Sequence, residues 1–147
     1  MQFTAAGFIY HVFPLTEGTN KTLTYTSRVS CAYMPLDSPK MMEALLNLIV
    51  NALDAVSDNG SVQIILTKSN EQFVVSITDD GCGIAPKQLL TIFHPFTTTK
   101  PDGTGLGLPV AKRIIEGHGG HIRVISAPNQ GATFTFLLPC SFSSDRK

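Results

Sequence analysis

A two-layer α/β sandwich is the fold this chain predicts, and three patterns predict it. Residues 38–57 carry a helical apolar stripe. Residues 61–68 and 72–79 alternate as two adjacent strands. A second helical stripe over 108–116 precedes two further strand-like segments, 121–126 and 132–138. Strands with one apolar face, interleaved with amphipathic helices, bury both kinds of apolar surface when the helices stack on one side of the sheet. The 147 residues fit one such domain with a substantial core.

The elements follow in order. Residues 1–20 form an N-terminal segment in which 8–15 reads as a strand or linker and Thr16-Glu17-Gly18-Thr19-Asn20 as a turn. The alternating, β-prone run 22–32 predicts a strand. Ser38-Pro39 supplies an N-cap followed by proline at the first helical position. Met41, Leu45, Leu48, Ala52 and Val56 then recur at helical spacing, and Asp58-Asn59-Gly60 is a turn. In 72–79, Phe73, Val75 and Ile77 share one face, with Val74, Ser76 and Thr78 on the other. Residues 80–107 are loop-rich, with one short helix near 87–93. Ala111, Ile114 and Ile115 form the stripe of the second long helix, which stops at Gly117, Gly119 and Gly120. Ala132, Phe134, Phe136 and Leu138 line one face of the last strand. The main domain therefore spans 21–140, and 141–147 is a C-terminal tail.

Composition narrows the partners. Lys+Arg and Asp+Glu balance at 11 each, so no bulk field draws the protein to nucleic acid or to an anionic membrane. Cys31, Cys82 and Cys140 are far apart, without metal-ligand spacing, and read as reduced cytoplasmic thiols. The apolar stretch 41–56 is interrupted by Glu43, Asn47, Asn51 and Asp54 and cannot span a bilayer. The N-terminus lacks the basic region of a signal peptide. The expectation is a cytoplasmic domain without direct membrane contact, compatible with a membrane-anchored parent.

Three motifs carry chemistry. Asn47-Leu48-Ile49-Val50-Asn51-Ala52 places Asn47 and Asn51 one turn apart on one helix face. An amide oxygen is a hard ligand suited to Mg²⁺, which prefers a few protein oxygens plus substrate phosphates. The plainer alternative is a pair of helix-surface asparagines. Asp79, in Asp79-Asp80-Gly81-Cys82-Gly83-Ile84, continues the apolar face of its strand towards the core. A carboxylate there needs donors: an adenine amine is one, and a backbone N–H of the following turn is another. Gly81 and Gly83 remove side chains where a flat base would approach. Gly103-Thr104-Gly105-Leu106-Gly107-Leu108 opens a helix, offering backbone N–H groups and the positive end of its dipole to phosphates. A flexible loop is the alternative. No Gly-Lys-Ser/Thr follows, so this is not a P-loop. Lys100 is placed to reach a terminal phosphate or simply to be solvated.

Taken together, these motifs resemble the N, G1, F and G2 boxes of sensor histidine kinases. Ile92-Phe93-His94-Pro95-Phe96 matches the F box, and His118-Gly119-Gly120, Gly131-Ala132-Thr133-Phe134 and Leu138-Pro139 match the family's typical ending. The resemblance covers residues 37–139. It implies the Bergerat ATP-binding sandwich of the gyrase, Hsp90, histidine kinase and MutL superfamily (GHKL), a mixed, mostly antiparallel sheet covered on one face by helices. Pro95-Phe96-Thr97-Thr98-Thr99-Lys100 is similar to the short-lid, nitrogen-regulation-like subgroup. By resemblance, ATP and Mg²⁺ are the cofactors. Asn51 is the metal ligand and Asn47 lies beside it. Asp79 accepts from the adenine amine, with Gly81, Gly83 and Ile84 near the base. Thr104, Gly105, Leu106 and Gly107 shape the phosphate and ribose side, Leu108 packs near the base, and Lys100 steadies the γ-phosphate. Phe93 and Phe96 anchor the lid by packing.

Two departures refine the expectation. ATPase branches of the superfamily carry a Glu one turn before the metal-binding Asn. Here that position is Asn47, a poor base, and Glu43 is roughly 12 Å along the helix from Asn51. This favours phosphoryl transfer to another protein, which needs mainly positioning and charge neutralisation. None of His11, His94, His118 and His121 sits in the family's acceptor motif. The expected partner is therefore a histidine-bearing dimerisation domain of the same or a partner kinase, and indirectly a response regulator. A GHKL-type ATPase or serine kinase, or a non-catalytic nucleotide-binding module, is the alternative. Asp80 stands where an Asn is common and is expected to add negative charge near the site.

Overall fold

A computed structural model describes residues 12–29, 38–97 and 105–140. A 3-10 turn, Phe13–Thr16, precedes strand β1, Thr22–Ser27. Helix α1 follows at Ser38–Ala55, then β2 at Ser61–Ser69 and β3 at Gln72–Asp79. A one-turn helix α2, Pro86–Leu89, leads to α3 at Gly107–Gly117, and β4, His121–Ser126, and β5, Ala132–Pro139, complete the order.

The strands form one sheet in the order β1-β2-β3-β5-β4. β1 and β2 are parallel, as a strand–helix–strand crossover through α1 requires, and every other pairing is antiparallel. β3 and β4 run the same way with β5 inserted between them, so β3–α3–β4 is a split crossover. Both crossovers return over the same face. α1 packs on α3 and across β3 and β2, and α3 also covers β4. The expected α/β sandwich, mostly antiparallel and covered on one side, is the fold observed.

Strand alternation places the core where the pattern put it. Phe73, Val75 and Ile77 are buried, and Phe134, Phe136 and Leu138 of β5 pack beside them in register. Met41, Leu45, Leu48, Ala52 and Val56 bury the α1 stripe against that face, and Ala111, Ile114 and Ile115 bury the α3 stripe. The opposite face shows small hydroxyls, with Thr78 and Thr133 Oγ1 atoms 3.1 Å apart across β3 and β5.

Four local expectations are corrected. The strand over 8–15 does not extend through 13–16, where Pro14 fixes φ and the chain turns as a 3-10 helix; residues 8–11 lie outside the described residues. The first strand ends at Ser27, with Arg28 and Val29 beyond it; residues 30–32 lie outside the described residues. The helix expected at 87–93 is the shorter Pro86–Leu89, followed by turns. Helix α1 stops at Ala55, although Val56 stays buried beneath the turn at Asn59, whose φ is +66°.

Candidate functional site

A cleft of about 530 Å³ opens between α1, the loop after β3, α2 and the start of α3, within the size range of small-ligand pockets. Its wall carries Asn47, Asn51, Asp79, Gly83, Ile84, Gly105, Gly107 and Leu108 of the residues expected at a site. Gly81 sits behind the wall, and Leu106 is 38% exposed beside it. Lys100 and Thr104 lie outside the described residues. Asp54, Cys82, Gln88 and Thr97 also face the cleft, and the sequence reading gave them no role there.

One end is built around Asp79. Alternation along β3 turns its carboxylate inward, and it is only 4% exposed. Gly81 N–H donates to Oδ1 at 2.9 Å. Burial raises the Asp79 pKa above its ordinary value; backbone N–H groups of Gly81 and Ala132 pull it back, and the neighbouring Asp80 charge pushes it up. A buried carboxylate at a cleft wall, incompletely compensated by the protein, is a strong acceptor for an incoming N–H donor.

The glycines around Asp79 have a packing cause in addition to the one expected. A Cβ on Gly81 would collide with the Ala55 carbonyl at the end of α1, and one on Gly83 with the Ala127 carbonyl in the β4–β5 turn. They allow backbone to approach backbone. Around them, Cys82 N–H donates to Ala55 O at 3.2 Å, and Asn129 N–H donates to Cys82 O at 2.7 Å. Ile84 N–H donates to Ser126 Oγ at 2.8 Å. Asp80 does not face the cleft: it accepts from Ser61 N–H at 2.9 Å and from Ser61 Oγ at 3.1 Å, tying the end of β3 to the start of β2.

The other end lies where α1 faces the start of α3. Leu46, Asn47, Val50, Asn51, Asp54 and Ala55 form the cleft side of α1, the stripe that helical spacing produces. Asn47 stands against the α3 N-terminus, its Cγ and Oδ1 each 3.8 Å from where a Gly107 Cβ would be. Among the described residues, no hydrogen-bond partner satisfies the Asn47 or Asn51 amide. The first intrahelical bond of α3 runs from Val110 N–H to Leu106 O, so the Gly107 and Leu108 N–H groups have no acceptor within the helix. Pro109 fits there because that turn needs no donor from it. The described wall holds two carboxylates, Asp54 and Asp79, and no Lys, Arg or His. The amide oxygens and the helix end suit a metal-bound polyanion, whose cation offsets charge that this wall does not.

Between the two ends, Phe93 packs edge-on against Phe134, ring centroids 6.3 Å apart, with Lys112 Nζ 5.4 Å from its centroid. Phe93 thus packs as expected. Phe96 does not: its ring is 77% exposed and its φ is +64°. Its N–H donates to Gly105 O at 3.0 Å, and a Cβ on Gly105 would meet the Phe96 backbone at 2.6 Å. These two residues pinch together the ends of the segment between them. His118 Nδ1 lies 2.7 Å from Ile114 O, a structural contact at the end of α3. Among the described residues, no group of His, Cys, Asp and Glu forms a metal cluster, and no helix is long and apolar enough to cross a membrane.

A one-sided α/β sandwich with a buried carboxylate, a helix N-terminus and paired amides around one cleft defines a nucleotide-binding class. The chain belongs to the family of histidine kinase-, DNA gyrase B- and HSP90-like ATPases, whose model matches residues 36–141. It is 42% identical over 118 residues to the sensor histidine kinase ZraS of Salmonella typhimurium, covering 80% of this chain and 25% of that protein. This chain thus spans about a quarter of that relative's length. The catalytic domain of the histidine kinase ThkA superposes with a TM-score of 0.83 at 31% identity, covering 95% of this chain and 94% of that one. ThkA in complex with the response regulator protein TrrA matches with a TM-score of 0.79 at 27% identity, over 96% of this chain and 42% of that one.

Proposed function

We propose that the domain over 21–140 binds ATP with Mg²⁺ and donates the γ-phosphoryl group to a histidine on a separate helical dimerisation domain, as the catalytic part of a cytoplasmic two-component kinase. One observation carries the reading: a single cleft holds a buried carboxylate at one end and, at the other, two amides without partners among the described residues, Asn47 standing against a helix N-terminus.

Asp79 accepts from the adenine amine, and Gly83 and Ile84 flank the base. Gly81 N–H holds Asp79 Oδ1 at 2.9 Å. Leu108 packs beside the base from the other side. Asn51, with Asn47 beside it, supplies oxygen to Mg²⁺, which when bound neutralises charge on the phosphates. The Gly107 and Leu108 N–H groups receive phosphate oxygens, with Thr104, Gly105 and Leu106 shaping that side and Lys100 steadying the γ-phosphate. Asn47 cannot deprotonate water, so the site favours transfer over hydrolysis. The similarity to ZraS and ThkA supports the kinase assignment, and the ThkA complex with TrrA supports a response regulator as the downstream partner.

Titration calorimetry with Mg-ATP tests the site. The wild-type domain binds, and Asn51→Ala weakens Mg-ATP far more than metal-free ATP. Equal affinity in both proteins sinks the metal assignment. Incubation with γ-labelled ATP and the parent's helical hairpin domain tests the transfer: acid-labile label on the hairpin supports it, whereas rapid phosphate release by the domain alone points to an ATPase.

A further inference from the structure

Ser126 stands at the end of β4, off the cleft wall, and neither the motifs nor the proposed chemistry uses it. Its hydroxyl is nevertheless engaged in both directions. Oγ accepts from Ile84 N–H at 2.8 Å and donates to Gly131 O at 2.6 Å. Those two partners bracket the base end of the cleft. Ile84 closes the loop after Asp79 and lines the cleft. Gly131, at φ +67°, lies so close that a Cβ there would collide with the Asp79 carbonyl. One hydroxyl therefore links the loop following Asp79 to the backbone packed upon Asp79 itself.

The rest of the β4–β5 turn grips the same loop. Ala127 O fills the space left by the missing Gly83 side chain, and Asn129 N–H donates to Cys82 O at 2.7 Å. Three successive loop residues, Cys82, Gly83 and Ile84, are thus each held by this turn. Only the Ile84 contact passes through a side chain, so it alone is open to substitution without altering backbone. Alanine there leaves the Ile84 N–H and the Gly131 carbonyl without this partner, whereas threonine keeps both functions of the hydroxyl and suits a strand end.

We propose that Ser126 is the positioning residue for the base-recognition loop, setting how selectively the cleft takes adenine over a purine with a 6-oxo group. The inference rests on the nucleotide reading of the cleft. Asp79 discriminates between the two bases only if the loop behind it presents the base edge at the right height, and Ser126 fixes that loop from outside the cleft.

The test compares wild type, Ser126→Ala and Ser126→Thr for Mg-ATP and Mg-ITP affinity, with amide hydrogen exchange of the nucleotide-free domain. In Ser126→Ala, ATP affinity falls about tenfold, the loss expected for one buried hydrogen bond. ITP binding changes little, so the preference narrows. Exchange at the Ile84 amide accelerates, and Ser126→Thr restores all three. A purely structural role would lower the melting temperature and weaken both nucleotides alike. An unchanged ATP/ITP ratio in Ser126→Ala, or a folded Ser126→Thr that fails to restore it, overturns the inference. A wild-type domain that binds neither nucleotide overturns the nucleotide reading itself, a result distinct from binding that Ser126→Ala leaves intact.

Discussion

The two ends of the cleft are built by opposite means. At the base end, Asp79 is buried in a strand, and Gly81, Cys82, Gly83 and Ile84 are each held by backbone or hydroxyl contacts from α1, β4 and the β4–β5 turn. At the end proposed for the phosphates, the amides of Asn47 and Asn51 lack partners among the described residues, and Leu106 and Phe96 are exposed. The first end is fixed in place before a ligand arrives, while the second is held by fewer contacts. Fixed acceptors discriminate between bases, because a wrong base leaves a buried group unpaired. Unsatisfied donors and amides bind charge and respond to the metal that comes with it.

The largest way to break this contrast is Asp79→Asn. The oxygen that accepts from Gly81 is retained by orienting the amide accordingly, which leaves NH₂ at the other position, where a donor meets the donor proposed for the base. Mg-ATP affinity should fall about 100-fold, from a lost charge-assisted bond plus an unsatisfied group, while circular dichroism shows an intact fold. Calorimetry that finds less than a threefold loss would remove Asp79 from base recognition. Gly83→Ala attacks the same end through the backbone. Its φ of +73° and the Ala127 carbonyl both oppose a side chain. The expected cost is about 2 kcal/mol in denaturant unfolding, accompanied by weaker ATP binding. An unchanged midpoint would show that the turn yields easily and is not a rigid support.

Acid pH separates recognition from stability at Asp79. Burial raises its pKa, so the folded domain holds this proton where the unfolded chain has already released it. The group's contribution to stability therefore falls as pH rises through the window between the unfolded and folded pKa, and is recovered on acidification. ATP affinity has the opposite sign, because a protonated Asp79 is a poorer acceptor. On acidification, binding should begin to weaken while the pH is still above the ordinary carboxylate range of about 4, with a steeper decline in wild type than in Asp79→Asn. Parallel slopes in the two proteins would refute this assignment.

The sandwich and the direction of Asp79 were legible because both depend on local periodicity: alternation in 72–79 and the stripes of two helices. The motif glycines were legible as positions but not as causes. Gly81 and Gly83 answer to Ala55 and Ala127, whose proximity arises only when α1 and the β4–β5 turn close on the loop. Asp80 was expected to add negative charge near the site and does so, pushing up the Asp79 pKa, while its carboxylate turns to Ser61, a partner that only the folded β2–β3 pair supplies. Ser126 gave no signal, since a serine at a strand end is ordinary until its two long-range partners are known. Phe96 was expected to anchor the lid by packing, from its place in the F box; its backbone is instead pinned to Gly105 at positive φ and the residue is exposed.

Phe96 gives the smallest effect and tests the other end. A bulky residue at positive φ is strained by about 1–2 kcal/mol, and its ring, 77% exposed, returns little of this through burial. Glycine adopts that conformation without a Cβ clash but adds backbone entropy to the unfolded chain, which offsets roughly half the gain. Phe96→Gly should therefore stabilise the nucleotide-free domain by about 0.5–1 kcal/mol in denaturant unfolding, with the Phe96 N–H bond to Gly105 retained. A destabilised variant would mean that the exposed ring makes a contact worth more than the strain.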